Sequence, residues 1–135
     1  MTDIEVGTVL PSITATFTRQ TLVRYAGAST DFNPIHYSDA AAAALGLPGV
    51  IAHGMLTMGT ALRVVTDWCG DPARVLSYYV RFTKPVVVPD DDEGATVSFG
   101  GTVTKVDDGV ATVSIEALFD GVKVLGAATA EVRLD

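Results

Sequence analysis

Asp31 and His36 stand five positions apart with Asn33-Pro34 between them, and those types at that spacing fit proton transfer. Proline restricts the residue before it to extended or turn backbone, so Asn33 is expected to turn the chain. A rigid corner of this kind can aim a carboxylate and an imidazole into one cleft, where they act on a shared water as general acid and base. Further along, Ile51-Ala52-His53-Gly54-Met55 marks the place where a loop enters a long apolar helix. The first N–H groups of a helix have no partner within it and sit at the positive end of its dipole, which suits a developing oxyanion. Acid, base and oxyanion donors together point to proton chemistry beside a carbonyl.

Other elements must hold these groups in place. Residues 9–17 alternate loosely and read as a strand. Thr18 can cap a helix from about 19 to 28, with Leu22, Val23 and Ala26 on one face and Gly27 weakening the last turn. After the motif loop, Ser38 caps a short alanine-rich helix that ends at Gly46. Leu47-Pro48-Gly49 is a turn. Residues 53–69 predict a helix of roughly five turns at ~3.6 residues per turn, stopped by Gly70-Asp71-Pro72. Its apolar side chains cover most of the circumference, so sheet is expected to bury it. The rest reads as strands at 74–83, 95–106, 110–119 and 122–134. Asp107-Asp108-Gly109 and Asp120-Gly121 have hairpin chemistry, and consecutive hairpins predict an antiparallel meander. The expected class is α+β, an antiparallel sheet around one long central helix.

A chain of 135 residues is expected to form one domain over 1–135, large enough for a core without staples. Hydrophobic content of 48% with scattered charges argues for a folded globular domain over disorder. The net charge of −7 argues against nucleic acid, whose binding relies on neutralising phosphates, and against an anionic membrane surface. Cys69 is the only cysteine, which excludes an intrachain disulfide and a cysteine zinc cluster and is consistent with a cytoplasmic location. Met1-Thr2-Asp3-Ile4-Glu5 shows no basic leader or apolar signal core, and Arg63 and Asp67 interrupt the longest apolar region. No nucleotide fingerprint is visible. Proton transfer needs no cofactor, and two histidines at this spacing do not make a metal ligand set.

Asp31-x-Asn33-Pro34-x-His36 followed by Ile51-x-His53-Gly54-Met55 resembles the MaoC-like hydratase/dehydratase group with the hot-dog fold, which includes (R)-specific enoyl-CoA hydratases and (3R)-hydroxyacyl-ACP dehydratases. The resemblance covers nearly the whole chain. The run 51–59 and Val80-Arg81-Phe82-Thr83 are most similar to the catalytic subunit of mycobacterial-type (3R)-hydroxyacyl-ACP dehydratases. It implies that Asp31 and His36 form a catalytic dyad holding one water against the β-carbon of a 2-enoyl thioester, with His36 as base and Asp31 orienting the water. It also implies a dimer, homo- or heteromeric with a second hot-dog subunit, since a single sheet leaves an edge to be paired. Some hydratases of the group carry a serine further along the central helix; here that stretch offers Leu62, with Thr57 and Thr60 as polar stand-ins.

Several residues keep two readings. Asn33 either locks the loop or reaches a substrate group. Gly54 either donates its N–H to a thioester carbonyl, its missing Cβ allowing close approach, or is a plain helix-start glycine. His53 is expected to make an orienting hydrogen bond. Met55, Met58, Leu62 and Trp68 could line an acyl slot or serve the core. Arg63, Arg74, Arg81 and Lys84 could anchor pantetheine-linked phosphates or an acyl carrier protein, or be solvated. Three functions compete: a lyase interconverting 2-enoyl and 3-hydroxyacyl thioesters of CoA or carrier protein, a hot-dog acyl thioesterase, and a tunnel-forming subunit of a heterodimeric dehydratase.

Overall fold

Thr18 ends one element and starts the next. Its backbone is extended, its hydroxyl accepts the N–H of Thr21, and the Thr21 hydroxyl accepts the N–H of Thr18. This reciprocal cap satisfies two donors that a helix start leaves open. Strand β1 (Val9–Phe17) therefore passes straight into helix α1 (Arg19–Ser29). Ser38 caps α2 (Asp39–Ala44) through the N–H of Ala41 at 3.1 Å. The long helix α3 (Gly54–Cys69) stops at Gly70, whose φ of +75° is a conformation suited to glycine. The computed structural model describes residues 3–135; the expectation of no leader at Met1 and Thr2 lies outside them.

The remaining elements are β2 (Val75–Phe82), β3 (Ala95–Asp107), β4 (Val110–Phe119), β5 (Val122–Lys123) and β6 (Leu125–Arg133). Both predicted hairpin turns form. Asp108-Gly109 and Asp120-Gly121 all lie at positive φ, the conformation a two-residue hairpin turn demands.

The sheet runs β1-β3-β4-β6-β2, every pair antiparallel, with β5 on β4. The expected meander is thus real for β3, β4 and β6, where the hairpin signals lie. It does not extend to β2, which crosses to the far edge and pairs with β6. The predicted strand at 122–134 is also broken. Val124 N–H still bonds Ala117 O at 3.0 Å, but beyond it two residues of β4 (115–116) face four of the returning chain (125–128), so the ladder opens between Val124 and Thr129. Within that gap Ala127 sits at φ +48°.

One face of α3 packs against β1, β3, β4, β6 and β2. Ala61, Val64 and Val65 are buried there with Leu10, Val97 and Phe99; full burial of a side chain of this kind is worth about 1.5–3 kcal/mol. The helix is not surrounded, contrary to its sequence pattern. Met55, Gly59, Arg63 and Asp67, spaced by four, stay exposed, and Arg63 and Asp67 pair at 3.6 Å along that stripe. The two sheet edges differ as well. β1 carries Pro11 and a register shift between Leu10 and Ile13, both of which blunt an edge. β2 presents Leu76, Tyr79 and Phe82, each more than half exposed. Among the described residues no helix is long and apolar enough to cross a membrane.

Candidate active site

Asn33 builds the corner that carries Asp31 and His36. It lies at φ −56°, ψ 124°, as a residue before proline should, and its Oδ1 accepts the N–H of Ile35 at 3.2 Å. Pro34–His36 then forms one turn of 3-10 helix. Asp31 Oδ1 accepts the N–H of Asn33 at 3.2 Å, which leaves Oδ2 free. Asn33 thereby spends its acceptor on the loop, and it does not line the cleft described below.

His36 is almost fully buried, and its Nδ1 lies 2.7 Å from the carbonyl of Ile51. A carbonyl only accepts, so Nδ1 carries the hydrogen and Nε2 of the neutral ring presents a lone pair. That Nε2 is 3.8 Å from Asp31 Oδ2. The gap is too long for a direct hydrogen bond and suits one water gripped by both. The Ile51 N–H returns a bond to the Ile35 carbonyl. The segment before α3 is held on its other side by Ala52 N–H to Val86 O and Val88 N–H to Val50 O.

His53 lies beneath this pair, 1% exposed. Its Nε2 donates to the backbone carbonyl of Asp31 at 3.2 Å, and its ring stacks on His36 at 3.8 Å between centroids, with Tyr25 edge-on at 4.8 Å. Burial, and then the neighbouring His36, push its pKa below the ordinary 6.5. The remaining atom, Nδ1, is buried without a partner, which only a lone pair and not an N–H tolerates cheaply. Sequence reasoning expected an orienting hydrogen bond from His53; the stacking beneath His36 is additional.

Asp31, His36 and His53 bring three donor atoms within 4.8 Å of one another. They do not suit a cation. The His36 and His53 rings stack 3.8 Å apart and 23° from parallel, so their remaining lone pairs point along separate planes, whereas a metal needs each lone pair aimed at it from about 2.0–2.1 Å.

A cleft of about 450 Å³ opens in front of the dyad. Asp31, His36, Gly54, Met55 and Thr57 form one wall, and Phe82, Thr83, Lys84, Val124 and Leu125 face them. Gly54 and Met55 donate their N–H groups to no acceptor among the described residues, as expected at a helix start without a side-chain cap. A Cβ on Gly54 would meet the Phe82 ring at 3.0–3.2 Å, so the glycine allows this close approach. Thr57 is buried at the cleft, whereas Thr60 spends its hydroxyl on the Leu56 carbonyl at 2.7 Å. Of the acyl-slot candidates Met55 alone lines the cleft. Met58, Leu62 and Trp68 lie further along α3 and do not line it. Sequence reasoning missed Phe82, Val124 and Leu125 as cleft walls, since nothing local marks strand ends that fold over a helix start.

A long helix packed on an antiparallel sheet, with a carboxylate, an imidazole and free N–H groups beside the helix start, is a hot-dog domain. A family model described as “MaoC like domain” matches residues 4–118, and the chain belongs to that family. It is 34% identical over 110 residues to the 3-oxo-4,17-pregnadiene-20-carboxyl-CoA hydratase beta subunit of Mycobacterium tuberculosis, covering 82% of this chain and 81% of the relative. It is 40% identical over 79 residues to 3-hydroxyacyl-thioester dehydratase X of the same organism, covering 58% of this chain but only 27% of that protein. The crystal structure of the ChsH1-ChsH2 complex from M. tuberculosis contains a chain that superposes with a TM-score of 0.85 at 30% identity, covering all of both chains.

Proposed function

We propose that this chain is a hydro-lyase that adds water to trans-2-enoyl thioesters and removes it from (3R)-3-hydroxyacyl thioesters in fatty-acid metabolism. The supporting observation is the 3.8 Å gap between the His36 Nε2 lone pair and Asp31 Oδ2, beside the free N–H groups of Gly54 and Met55. A water in that gap donates one hydrogen to each acceptor and turns a lone pair towards the substrate. With the thioester carbonyl on the Gly54 N–H, charge that develops on its oxygen meets the positive end of α3. The water oxygen bonds to the β-carbon while His36 takes its proton, and Asp31 stabilises the imidazolium. The same proton then passes to the α-carbon as the enolate collapses, so the dyad ends as it began. Dehydration reverses these steps, and neither direction calls for a cofactor.

His36→Ala and Asp31→Asn test the assignment. Each is expected to lower kcat/KM on crotonyl-CoA and longer enoyl thioesters by about 10²–10⁴-fold; unchanged rates in both refute it. Release of free thiol with the double bond untouched would instead favour a thioesterase. The exposed β2 edge is the proposed seat of a second hot-dog subunit, identical or not, in keeping with a relative named as a beta subunit and a neighbour solved as a complex. A substrate series belongs on both CoA and carrier protein, and should include bulky ring acyl groups, because one relative is named for a pregnadiene-carboxyl-CoA.

A further inference from the structure

Arg19 is the first residue of α1 and Asp39 the first of α2, and the loop that carries the dyad lies between those helices. The Arg19 side chain, only 21% exposed, donates from Nε to Val88 O at 2.7 Å and from Nη2 to Asp39 Oδ1 at 2.8 Å. Asp39 Oδ1 also accepts the N–H of Val50 at 3.3 Å, and Val50 O accepts the N–H of Val88 at 2.9 Å. Arg19, Asp39, Val50 and Val88 thus form a closed circuit of hydrogen bonds, and both valines in it are fully buried.

The circuit lies next to the contact that orients His36. Ile51 follows Val50 and takes the His36 Nδ1–H on its carbonyl, while Asp39 follows His36 on its own segment. The two segments meet at three points. Ile35 O accepts from Ile51 N–H at 3.2 Å, Ile51 O from His36 Nδ1 at 2.7 Å, and Asp39 Oδ1 from Val50 N–H. Removing Asp39 deletes the third and strands the N–H of a buried residue, which backbone movement must relieve. Removing Arg19 frees a carboxylate that is 61% exposed to turn into solvent.

We propose that Arg19 and Asp39 are positioning residues for His36. Their ion pair fixes the separation of the segments that carry the imidazole and the Ile51 carbonyl. That separation decides whether Nδ1 keeps its hydrogen on Ile51 O, and so whether Nε2 turns a lone pair to the gap shared with Asp31. A solvent-facing ion pair adds little stability by itself; this one contributes alignment. The consequence for rate rests on the hydratase reading above, and the consequence for the imidazole does not.

Nitrogen NMR of the two histidine rings reads the tautomers directly. In the wild-type protein His36 is expected to carry its hydrogen on Nδ1 and His53 on Nε2, as their carbonyl partners dictate. In Asp39→Ala and Arg19→Met, His36 is expected to become a mixture of tautomers while His53 keeps its own. Asp39→Asn, whose Oδ1 can still take the Val50 N–H, is expected to lie between. On crotonyl-CoA, D39A and R19M are expected to lose about tenfold or more in kcat with KM within about twofold, since slight misplacement of a reacting group costs up to about 10²-fold. The double variant is expected to lose no more than the worse single one, because both break the same circuit. Gly70→Ala, remote from the circuit, controls for lowered stability and is expected to keep kcat. R19M retains the aliphatic stem, so it decides if D39A fails to fold. An unchanged His36 tautomer overturns the proposal whatever happens to Tm, and so does an unchanged kcat in a protein that hydrates crotonyl-CoA. A tautomer shift in a protein that hydrates no thioester would count against the hydro-lyase reading and in favour of the positioning role.

Discussion

The two ends of α3 are built on opposite plans. At the C-terminal end the loose groups are tied down: Gly70 N–H bonds Thr66 O at 3.0 Å, and the Cys69 thiol reaches Asp71 O at 3.3 Å. Asp71 in turn accepts the N–H of Ala73 at 2.9 Å as the chain turns through Pro72–Arg74. At the N-terminal end His53 makes no side-chain cap, and Gly54 and Met55 keep their donors. Protein helices usually satisfy such donors, because caps are worth about 1 kcal/mol. Forgoing one next to a buried imidazole and a carboxylate is coherent if a ligand supplies the acceptor. One end of the rod thus serves stability, and on the proposed function the other is kept for chemistry.

That contrast can be broken experimentally. The largest effect is expected from Gly54→Ala at the open end. Alanine favours the helix, so the fold should hold, but its methyl meets the Phe82 ring and crowds the thioester carbonyl. A loss on the order of 10²-fold in kcat with a nearly unchanged Tm is expected, approaching that of a lost oxyanion donor. Adding Phe82→Ala should recover part of the rate. Full activity in G54A would show that the open end is only a structural omission.

A smaller and opposite effect is expected at the sealed end. Gly70→Ala places a side chain at φ +75° and should cost about 1–2 kcal/mol, seen as a drop of several degrees in Tm, with kcat/KM intact. An equal loss of activity would mean the two ends are coupled.

The smallest effect sharpens the comparison through pH. His53, at the open end, has a pKa held below 6.5 by burial. The unfolded chain therefore binds a proton first as pH falls, and stability contributed by the neutral ring drops from about pH 6.5 downwards until the folded value is reached. Urea denaturation from pH 7.5 to 5 should show this slope in wild type and a shallower one in His53→Asn. Identical slopes would remove His53 from the account.

The sealed end was easy to read from sequence, because Gly-Asp-Pro after an apolar run is a local signal, as are the Thr18 and Ser38 caps and the two Asp-Gly turns. The corner at Asn33-Pro34 was legible for the same reason, and it brings Asp31 and His36 together. What escaped was non-local. Met58 and Leu62 share a face with Met55 by spacing, yet Leu62 is about 10 Å further along the axis, past the wall that Phe82 and Lys84 form. The apolar circumference of α3 implied burial all round, but a sheet packed on one side leaves the stripe from Met55 to Asp67 open. Equally, no pattern within 74–83 announces that β2 pairs with the last strand and not with the next.

The interruption between β5 and β6 has a consequence for how the family can vary. Val124, which lines the cleft, is still in register with β4, its N–H bonded to Ala117 O at 3.0 Å, and the two-residue slip follows it, between Val124 and Thr129. Adding or deleting a residue in that slack is expected to reshape the wall of the cleft while the ladders on either side keep their register. Under the proposed hydratase reading, such a seam is the natural place to alter the size of acyl group the cleft accepts without refolding the domain.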